Sequence, residues 1–483
     1  MSKKALLLIA LTFLLGCAVN PVTQQQEFLV FSEGYEIRLG REAQRSVFVR
    51  FGRYGDQGLQ GYVSEVGQRI AGVSHRPHLD YRFTVTDSSV LNAMALPGGF
   101  IYVNRGLLAY LNSEAQLAGV LGHEMGHVAA RHGIKHYQAA LGAQLLSLGV
   151  AALTESRGLV LGTNLLLEAV LKGYSRRDEY QADELGLLYM YRAGYDPSEM
   201  VKFLTILKGF ERREPNLVEQ LFSSHPLTSD RIARARAYAQ ELGAGGRGLT
   251  VGRERYLRHL EGMVFGPGAM EGVIEGRRFR NRHFRYEVKA PEGWPLRRGE
   301  RIGSVEAVHP SGHLRCQALA LELHRPLSPY ELAQQVERGS GFKRLWSSRV
   351  VLGGLHGLKV DYVAGREGRV RARIAYLVRG RTGFVLCCSA PRGLFPLGEG
   401  PFEGFLRSFR SLSPQEAEEV PLYRLKIYRA RPGDTFRSLS RRFYGTARYA
   451  EDLRTFNGLE GTAPPPGTLI KVKPKALLRK EGT

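Results

Sequence analysis

Residues 121–127 read LGHEMGH, and this pattern predicts the fold and the chemistry of the first half of the chain. Its two histidines stand four residues apart, so on an α-helix they share one face and can bind one metal ion. The glutamate after the first histidine can take a proton from an attacking water molecule. His123, Glu124 and His127 therefore predict a zinc site with its own general base. The alternative is a pair of surface histidines on an ordinary helix.

The start of this helix is marked by a capping box. Ser113 is followed three residues later by Gln116, although Asn112 could provide the cap instead. Within the helix, Gly122 and Gly126 cost about 1 kcal/mol each relative to alanine. Because they lack side chains, they would let another backbone approach the metal-bearing turn closely, which is a packing reason for their presence.

A predicted hairpin comes just before the helix. Residues 92–104 read as two strand segments joined by a Pro-Gly-Gly turn. The hairpin offers a candidate edge strand, with which an extended peptide substrate could pair through backbone hydrogen bonds. The candidate substrate-binding residues are Ala95, Pro97, Gly98 and Gly99. An ordinary core hairpin is the alternative, because a sequence alone cannot show an exposed edge.

The third metal ligand is expected from another helix, because zinc proteases use three protein ligands and leave one position open. In residues 174–183, Glu179 and Asp183 are again four residues apart and share a face. Glu179 can bind zinc, while Asp183 can accept a hydrogen bond from the outer nitrogen of a ligand histidine. Asp178 and Glu184 lie off that face and are expected to be solvated. A wholly solvated acidic surface is the alternative for this helix.

These motifs together resemble the M48 family of zinc metallopeptidases. The matching blocks are His123-Glu124-x-x-His127, residues 95–99, Ser175-Arg176-x-x-Glu179-x-x-Ala182-Asp183 and Ser224-His225-Pro226. Their order and spacing match over about residues 20–245, and within the family the chain resembles periplasmic lipoproteins of the BepA and LoiP type. The resemblance implies that His123, His127 and Glu179 bind zinc and that Glu124 is the general base. The C-terminal tetratricopeptide repeats of BepA-type members are not evident here.

The block around His225 is expected to form a loop, because Pro226 keeps that histidine out of helical geometry. From the loop, His225 could reach the metal as a fourth ligand that silences it. It could instead act in catalysis, by donating a hydrogen bond to the oxyanion that forms as the peptide carbonyl is attacked. Arg231 is a second candidate donor close to the ligands. The alternative is a helix-entry loop whose histidine only hydrogen-bonds locally.

Composition and charge bound the class of partner. The chain has 483 residues, enough for two to four domains, with an ordinary 43% of hydrophobic and 24% of charged residues. Its formal charge of +22 is unusually positive, and arginine is densest after about Gly276. Such charge suits anionic lipid, lipopolysaccharide or acidic cell-wall polymer. Nucleic acid is not expected, because no nucleic-acid-binding motif accompanies the charge.

The N-terminus predicts export. Two lysines precede the apolar run 5–15, which is too short for a comfortable membrane span. Residues 14–17, Leu-Leu-Gly-Cys, resemble the lipobox of bacterial lipoproteins, in which Cys17 would be lipidated. Ala18 in the next position, rather than aspartate, favours the outer membrane by resemblance to enterobacterial lipoproteins. A plain secretory signal with a chance cysteine is the alternative.

The predicted fold is multidomain. After the signal peptide, residues 1–17, we expect a mainly α-helical zincin-type metallopeptidase domain with a small β-sheet at residues 18–245. Residues 246–278 read as a linker with a connecting helix. Alternating strand patterns with a few helices at residues 279–415 predict an α+β domain, which loosely resembles Mog1/PsbP-like domains and whose role is uncertain.

The C-terminal segment carries a more specific pattern. Residues 420–475 resemble a LysM-like module, with the order strand, two short helices, strand. The resemblance implies binding of the N-acetylglucosamine chain of peptidoglycan, and a spacer with no ligand is the alternative. A basic tail follows at residues 476–483.

The cysteines allow one disulfide bond. With Cys17 lipidated, Cys316, Cys387 and Cys388 remain, an odd number in an oxidising compartment. Cys316 could pair with either of the other two if their strands are adjacent. Neighbouring residues of a strand point to opposite faces, so just one of Cys387 and Cys388 could reach it. Buried free thiols are equally consistent with the sequence.

The sequence as a whole predicts an outer-membrane-tethered, periplasmic zinc endopeptidase. The family resemblance implies one Zn²⁺ per chain and misfolded or stalled envelope proteins as substrates. Lipidated Cys17 would hold the chain on the lipid bilayer, and the LysM-like module could bind peptidoglycan. The alternatives are a chaperone-like assembly factor and a peptidoglycan-binding scaffold, each with a latent or structural zinc site.

Overall fold

The computed structural model of the protein describes residues 17–148, 164–338, 340–365 and 368–478. The predicted signal sequence up to residue 16 and the end of the predicted basic tail, 479–483, lie outside these ranges. Among the residues described, none of the helices combines the length and the apolar character that a membrane span requires.

The chain folds into two compact units. The first unit combines residues 1–266 with residues 423–483, and the second unit consists of residues 267–422. The C-terminal segment therefore belongs to the same unit as the predicted metal site, although the whole second unit separates the two in sequence. The domain boundaries expected from the sequence stay predictions.

Helices dominate the first unit. In chain order, the helices of the described residues are α1 (Glu33–Phe51), α2 (Gln57–Ala71), α3 (Arg105–Tyr110), α4 (Glu114–Ala129), α5 (His132–Leu148), α6 (Arg176–Arg192), α7 (Ser198–Arg213), α8 (Pro215–Ser224), α9 (Ser229–Glu241), α10 (Arg253–His259), α11 (Pro329–Glu337), α12 (Phe395–Arg407), α13 (Pro414–Glu418), α14 (Phe436–Tyr444), α15 (Ala450–Phe456) and α16 (Lys475–Leu478). Residues 164–171 are helical as well. Helices α11 to α13 belong to the second unit, and the others to the first.

Strands dominate the second unit. In chain order, the strands of the described residues are β1 (Cys17–Val19), β2 (Gln26–Phe28), β3 (Arg82–Thr86), β4 (Ala93–Leu96), β5 (Phe100–Asn104), β6 (Val273–Glu275), β7 (Arg278–Asn281), β8 (Tyr286–Lys289), β9 (Leu296–Arg298), β10 (Ser304–Val308), β11 (Arg315–Glu322), β12 (Lys343–Leu352), β13 (Leu355–Ala364), β14 (Val370–Arg379), β15 (Thr382–Pro391), β16 (Arg410–Ser411), β17 (Lys426–Arg429) and β18 (Leu469–Val472). The expected multidomain chain with helical and sheet regions is confirmed.

The predicted hairpin before the metal-binding helix is present. Strands β4 and β5 pair antiparallel, and Gly98 and Gly99 take left-handed backbone angles (φ of 82° and 93°) in the turn between them. β3 pairs with β5 in parallel, so the sheet order is β3-β5-β4 and β4 lies at an edge. All four residues of β4 are nevertheless buried. The edge exists, but it is covered in this arrangement.

Helix α4 begins at the predicted N-cap residue Ser113, although the reciprocal bond from Gln116 goes to Asn112 and not to Ser113. The hydroxyl of Ser113 accepts a hydrogen bond of 3.1 Å from the N–H of Gln116. The side chain of Gln116 in turn accepts one of 2.8 Å from the N–H of Asn112. Asn112 and Ser113 therefore both take part in the cap.

The glycines of α4 let α6 pack closely against it. A Cβ atom on Gly122 would lie 3.0 Å from the carbonyl oxygen of Gly186, and one on Gly126 would lie 3.0 Å from Cα of Ala182. Larger side chains would push α6 away from the metal-binding turn. The close approach predicted for these glycines is confirmed, and it brings Glu179 and Asp183 next to the histidines.

The second unit is built on a seven-stranded antiparallel sheet with the order β12-β13-β14-β15-β11-β10-β9. Alternate residues of β14 point to the two faces of this sheet. Ile374 and Tyr376 pack in the core that includes α11, while Ala375 and Leu377 pack in the core that includes α12. A separate four-stranded sheet has the order β16-β8-β7-β6. The predicted α+β architecture is confirmed.

One disulfide bond joins two strands of this sheet. Cys316 of β11 lies directly opposite Cys388 of β15 and is bonded to it, while Cys387 is a free thiol. Just one of the two adjacent cysteines reaches Cys316, as strand alternation predicts. Burial raises the pKa of the Cys387 thiol to about 12, so it stays protonated near neutral pH.

The C-terminal segment has the predicted order of strand, two helices and strand. β17 and β18 pair antiparallel, with Lys426 opposite Val472, and α14 and α15 lie between them in sequence. The LysM assignment itself stays a prediction.

Lys471 joins this segment to the entrance of α4. Its buried Nζ donates hydrogen bonds to the carbonyl oxygens of Ala109 (2.8 Å) and Leu111 (2.6 Å), shortly before the cap at Ser113. Burial holds the pKa of Lys471 well below its usual range. A neutral amine has two N–H groups, which matches the two carbonyl acceptors. The segment is therefore anchored on the backbone that leads into the metal-binding helix.

Candidate active site

Four buried side chains converge in the first unit. His123 and His127 come from α4, Glu179 comes from the first turn of α6, and His225 comes from the turn between α8 and α9. One donor atom from each lies within 4.8 Å of the other three. The structure thus brings together all three predicted metal ligands and the predicted loop histidine.

Local structure explains how α6 presents its glutamate. Ser175 caps the helix by accepting a hydrogen bond from the N–H of Asp178, and the Asp178 carboxylate accepts one from the N–H of Ser175. The helix therefore begins at Arg176 and places Glu179 in its first turn. The tight packing of α6 on α4 then points this carboxylate at the two histidines.

The spacing of the three predicted ligands fits a tetrahedral metal site. Nε2 of His123 lies 3.1 Å from Nε2 of His127 and 3.6 Å from Oε2 of Glu179, while Nε2 of His127 lies 3.4 Å from Oε1 of Glu179. Tetrahedral bonds of about 2.0–2.1 Å place neighbouring donors about 3.3 Å apart. Burial holds the pKa of His127 well below its usual range, which keeps the ring neutral as a metal ligand requires. The donor set therefore fits zinc.

His225 completes the donor set. Its Nδ1 lies 3.3 Å from Nε2 of His123 and 3.0 Å from Oε1 of Glu179. Burial acts to lower the pKa of His225, but the carboxylates of Glu179 and Glu124 outweigh it and raise the pKa to about 9. The charged ring therefore pairs with Glu179, and its position also allows it to act as a fourth donor. Which of the roles expected from the sequence His225 takes stays a prediction.

Backbone contacts hold the His225 loop in place. The N–H of Tyr174 donates a 3.3 Å hydrogen bond to the carbonyl oxygen of Ser224. A Cβ atom on Gly173 would lie 2.6 Å from the carbonyl oxygen of Ser223, so this glycine permits the close contact. The ring of Tyr174 also stacks on that of His127 at 3.9 Å. The segment before α6 thus contacts both a ligand and the loop.

Glu124 occupies the position expected of a general base. It is buried beside the cluster, with Oε1 3.6 Å from Nε2 of His225. Its Oε2 is buried and has no hydrogen-bond partner among the described residues. Burial raises the pKa of Glu124, which brings a carboxylate closer to the range useful for proton transfer. A free carboxylate oxygen beside the donors is available to a water molecule.

Asp183 and Arg231 support the ligands from outside. Oδ1 of Asp183 lies 2.9 Å from Nδ1 of His123, which orients that ring with Nε2 toward the cluster. The guanidinium of Arg231 donates to both oxygens of Asp183 (2.7 and 2.8 Å) and lies 2.5 Å from Oε2 of Glu179. Two carboxylates engage Arg231, so it supports the ligands, and its role as a donor to an oxyanion stays a prediction.

Sequence reasoning missed the partners of His127. Its Nδ1 lies 2.9 Å from Nδ1 of His132, whose Nε2 lies 3.0 Å from Oε1 of Gln181 and 3.4 Å from Oδ1 of Asp178. Oδ2 of Asp178 also bonds His136 at 3.2 Å. Asp178, which was expected to be solvated, is partly exposed but also pairs with both histidines, because the fold turns the start of α5 toward α6. The spacing of His132 and His136, again i and i+4, was the available signal.

The predicted substrate-binding residues lie in two places, in strand β4 and in the turn that follows it. Ala95 is buried in β4, and the turn Pro97–Gly99 packs on α1, where a Cβ on Gly98 would lie 2.6 Å from Cα of Ile37. From the same strand, Ala93 lines a cavity of about 50 Å³ that reaches His123 and Glu124. The apolar walls of this cavity come from α4, α7 and α8, with Val120, Met200, Phe203, Leu204, Leu207, Leu221 and Phe222. Helices α7 and α8 thus cover the strand beside the cluster.

Comparison with known proteins agrees with the site. The model of Peptidase family M48 matches residues 58–239, which include the four clustered side chains. The Beta-barrel assembly-enhancing protease of Escherichia coli (strain K12) is 28% identical over 227 residues, covering 44% of this chain and 45% of that protein. The Mitochondrial metalloendopeptidase OMA1 of Schizosaccharomyces pombe is 30% identical over 229 residues, covering 46% of this chain and 66% of that protein.

The chain spans about half the length of the first of these curated relatives. A solved structure, the solution structure of cyanobacterial PsbP (CyanoP) from Synechocystis sp. PCC 6803, matches at 13% identity with a TM-score of 0.24, covering 29% of this chain and 98% of that chain. The resemblance to M48 peptidases that the sequence motifs predicted is therefore confirmed for residues 58–239.

Proposed function

We propose that the protein is a zinc-dependent endopeptidase. The observation that carries the proposal is the convergence of His123, His127 and Glu179 at tetrahedral spacing, with Glu124 buried beside them. When bound, zinc supplies Lewis acidity at the scissile carbonyl and lowers the pKa of a water molecule toward about 7.

The chain's own residues supply the proton transfers and the support. Glu124 takes the proton from the attacking water and later delivers it to the leaving amine, a role that its raised pKa favours. Asp183 holds His123 in the ligating tautomer, and His132 does the same for His127. Arg231 keeps Asp183 and Glu179 in place through its ion pairs.

We infer that the structure represents a closed state of the enzyme. A catalytic zinc site needs a position for water and substrate, whereas His225 adds a fourth protein donor to the set. The same loop and α8 cover the cavity beside β4. Movement of His225 away from Glu179 would free both the metal position and the route to the strand.

We propose a place at the bacterial cell envelope and envelope proteins as substrates. The signal-like N-terminus and Cys17 support lipid anchoring on the periplasmic side, with the outer membrane favoured. The name of the Escherichia coli relative, a β-barrel assembly-enhancing protease, supports misassembled or unfolded envelope proteins as substrates. The βααβ order of residues 426–472 supports the LysM-like module and peptidoglycan as a further partner.

The test of the peptidase proposal is Glu124→Gln. We expect this variant to bind one zinc per chain, measured by elemental analysis, and to lose cleavage of an unfolded protein such as casein. Glu184→Gln is the matched control, because Glu184 is an exposed glutamate of α6. Normal turnover by Glu124→Gln would overturn the mechanism.

A second candidate function is an assembly factor or scaffold with a latent zinc site, which the fourth donor at His225 favours. In that case, the Glu124→Gln variant would fully rescue a strain that lacks the protein. A peptidoglycan scaffold would in addition bind peptidoglycan through residues after about 420, so pull-down with and without that segment separates the cases.

A further inference from the structure

Strand β12 is an open edge of the large sheet in the second unit. It runs for 10 residues at one end of the strand order, whereas β9 at the other end has 3. On one side β12 pairs with β13. On its other side no strand pairs with it among the described residues, so its outward backbone N–H and C=O groups are available for pairing.

The side chains of β12 are unusually apolar for such an exposed strand. Leu345, Trp346 and Val351 are 55%, 54% and 59% exposed. Lys343 and Arg349 are exposed as well, and the strand contains no carboxylate. Tryptophan and arginine are the residues most enriched at binding hot spots. The edge therefore offers backbone groups, apolar surface and positive charge together.

The register of β12 defines which part of the edge is regular. A bulge falls at Leu345, because Arg344 pairs with Tyr362 and Trp346 with Asp361. From Trp346 to Leu352 the pairing with β13 is continuous. Side chains alternate between the two faces, so Trp346 and Arg349 point to opposite faces of the sheet. An added strand would meet an apolar contact on one face and a cation on the other.

Self-association does not fit this edge. If two copies paired antiparallel over the regular run from Trp346 to Leu352, the central residue Arg349 would lie opposite itself. Like charges placed directly opposite each other destabilise a strand pair. The bulge and the basic side chains are also devices that keep edges from joining one another. The edge thus selects a partner with negative charge.

We propose that β12 binds an extended acidic segment of another polypeptide by strand addition. The partner strand would place an apolar or aromatic residue beside Trp346 and a carboxylate beside Arg349, in an alternating pattern. Backbone hydrogen bonds would supply much of the affinity, and the two side-chain contacts would supply selectivity. Alternation of apolar and polar residues is the pattern of half-buried β-strands, so unfolded β-rich proteins contain such segments.

The inference deepens the proposed function, because strand addition at β12 would hold an unfolded envelope protein on the enzyme that cleaves it. That consequence depends on the proposed peptidase activity, whereas binding at the edge does not. The two can therefore fail separately when binding is measured on an inactive chain.

The experiment uses the full chain carrying Glu124→Gln and a fluorescent ten-residue peptide in which glutamate alternates with valine and phenylalanine. Binding is followed by anisotropy. We expect Trp346→Ser and Arg349→Glu each to weaken binding by about fivefold to tenfold. Leu397→Ser and Arg392→Glu are the matched controls, because they alter an exposed leucine and an exposed arginine elsewhere in the second unit. The controls should bind as the parent does.

A charge-swapped peptide, with lysine in place of glutamate, sharpens the test. It should bind the parent poorly and bind Arg349→Glu better, which a misfolded variant would not do. Equal binding by all variants would overturn the proposal. The proposal would also be overturned if the parent chain sedimented as a dimer and Arg349→Glu changed that dimer, since a second copy would then occupy the β12 edge. Binding with normal strength but without casein cleavage by the wild type would contradict the peptidase proposal alone.

Discussion

Nδ1 of His225 lies 3.0 Å from Oε1 of Glu179, so a loop side chain occupies the position that completes the metal-binding set. The remaining donors are fixed by two helices packed through glycines, whereas His225 is held through a turn. The donor that comes from neither of these two helices therefore closes the set.

Replacing His225 by alanine should open the site. We expect His225→Ala to raise casein cleavage by roughly threefold or more, because the closed arrangement no longer competes with substrate. The measurement is the initial rate at saturating zinc. His78→Ala is the control, since His78 is an exposed histidine of the same unit. A fall in rate comparable to that of Glu124→Gln would instead assign His225 to oxyanion binding.

The ring of His132 should set the affinity for the metal. His132→Ala removes the partner of Nδ1 of His127, and loss of such a partner weakens metal binding about 10- to 100-fold. Competition with a zinc-chelating dye measures the effect. His136→Ala is the matched control. His136 also bonds Asp178, but its Nε2 contacts that carboxylate and not the ligand His127. Equal affinity of the two variants would show that His132 does not support the ligand.

The buried Lys471 should make stability depend on pH in a defined direction. Its folded pKa lies below the unfolded value of about 10.4, so between the two values the unfolded chain binds more protons than the folded one. The free energy of unfolding contributed by Lys471 therefore rises as the pH rises toward about 10.4. Lys471→Met removes this contribution.

The measurement for Lys471 is the difference in urea midpoint between the wild type and Lys471→Met at several pH values from 7 to 10. We expect the difference to move in favour of the wild type as the pH increases. Lys475→Met, at an exposed lysine of α16, should show a constant difference. A flat profile for Lys471→Met would mean that the amine is charged in the folded protein.

The disulfide bond should stabilise the second unit substantially. It closes a loop with a sequence separation of 72 residues, which corresponds to about 4 kcal/mol of free energy of unfolding. We expect the double variant Cys316→Ala/Cys388→Ala to lose an amount of that order in denaturant unfolding. Cys387→Ala should lose less than about 1 kcal/mol. A similar loss from the double variant and from Cys387→Ala would show that the disulfide bond does not stabilise the unit.

Local sequence patterns predicted the elements that carry the ligands. The N-cap at Ser113 and the i, i+4 spacing of His123 and His127 need only one helix, and the pair Glu179 and Asp183 needs only another. Each signal is complete within a few residues, because helix geometry fixes which side chains are neighbours. The alternating patterns at residues 279–415 are local signals as well, because neighbouring residues of a strand point to opposite faces. The βααβ order of the C-terminal segment was implied by its resemblance to LysM modules.

Strand β12 is an element that a local sequence pattern does not predict. Its residues, KRLWSSRVVL, do not alternate cleanly between apolar and polar, because an edge strand with a bulge has no face that is buried throughout. The sequence signal that reveals a half-buried strand was therefore missing. The same irregularity makes the edge an unusual surface.

The residues that carry the chemistry of the site could be predicted from the sequence, since His123, Glu124 and His127 on one helix, and Glu179 with Asp183 on another, have the spacing of side chains that share a helix face or adjoin it. The tertiary structure decided the state of that site. It placed His225 on Glu179, turned His132 and Asp178 toward His127, and buried Lys471 against the backbone before α4. These contacts join residues far apart in the chain or across a turn, and their geometry depends on how helices and loops pack, which no local periodicity encodes.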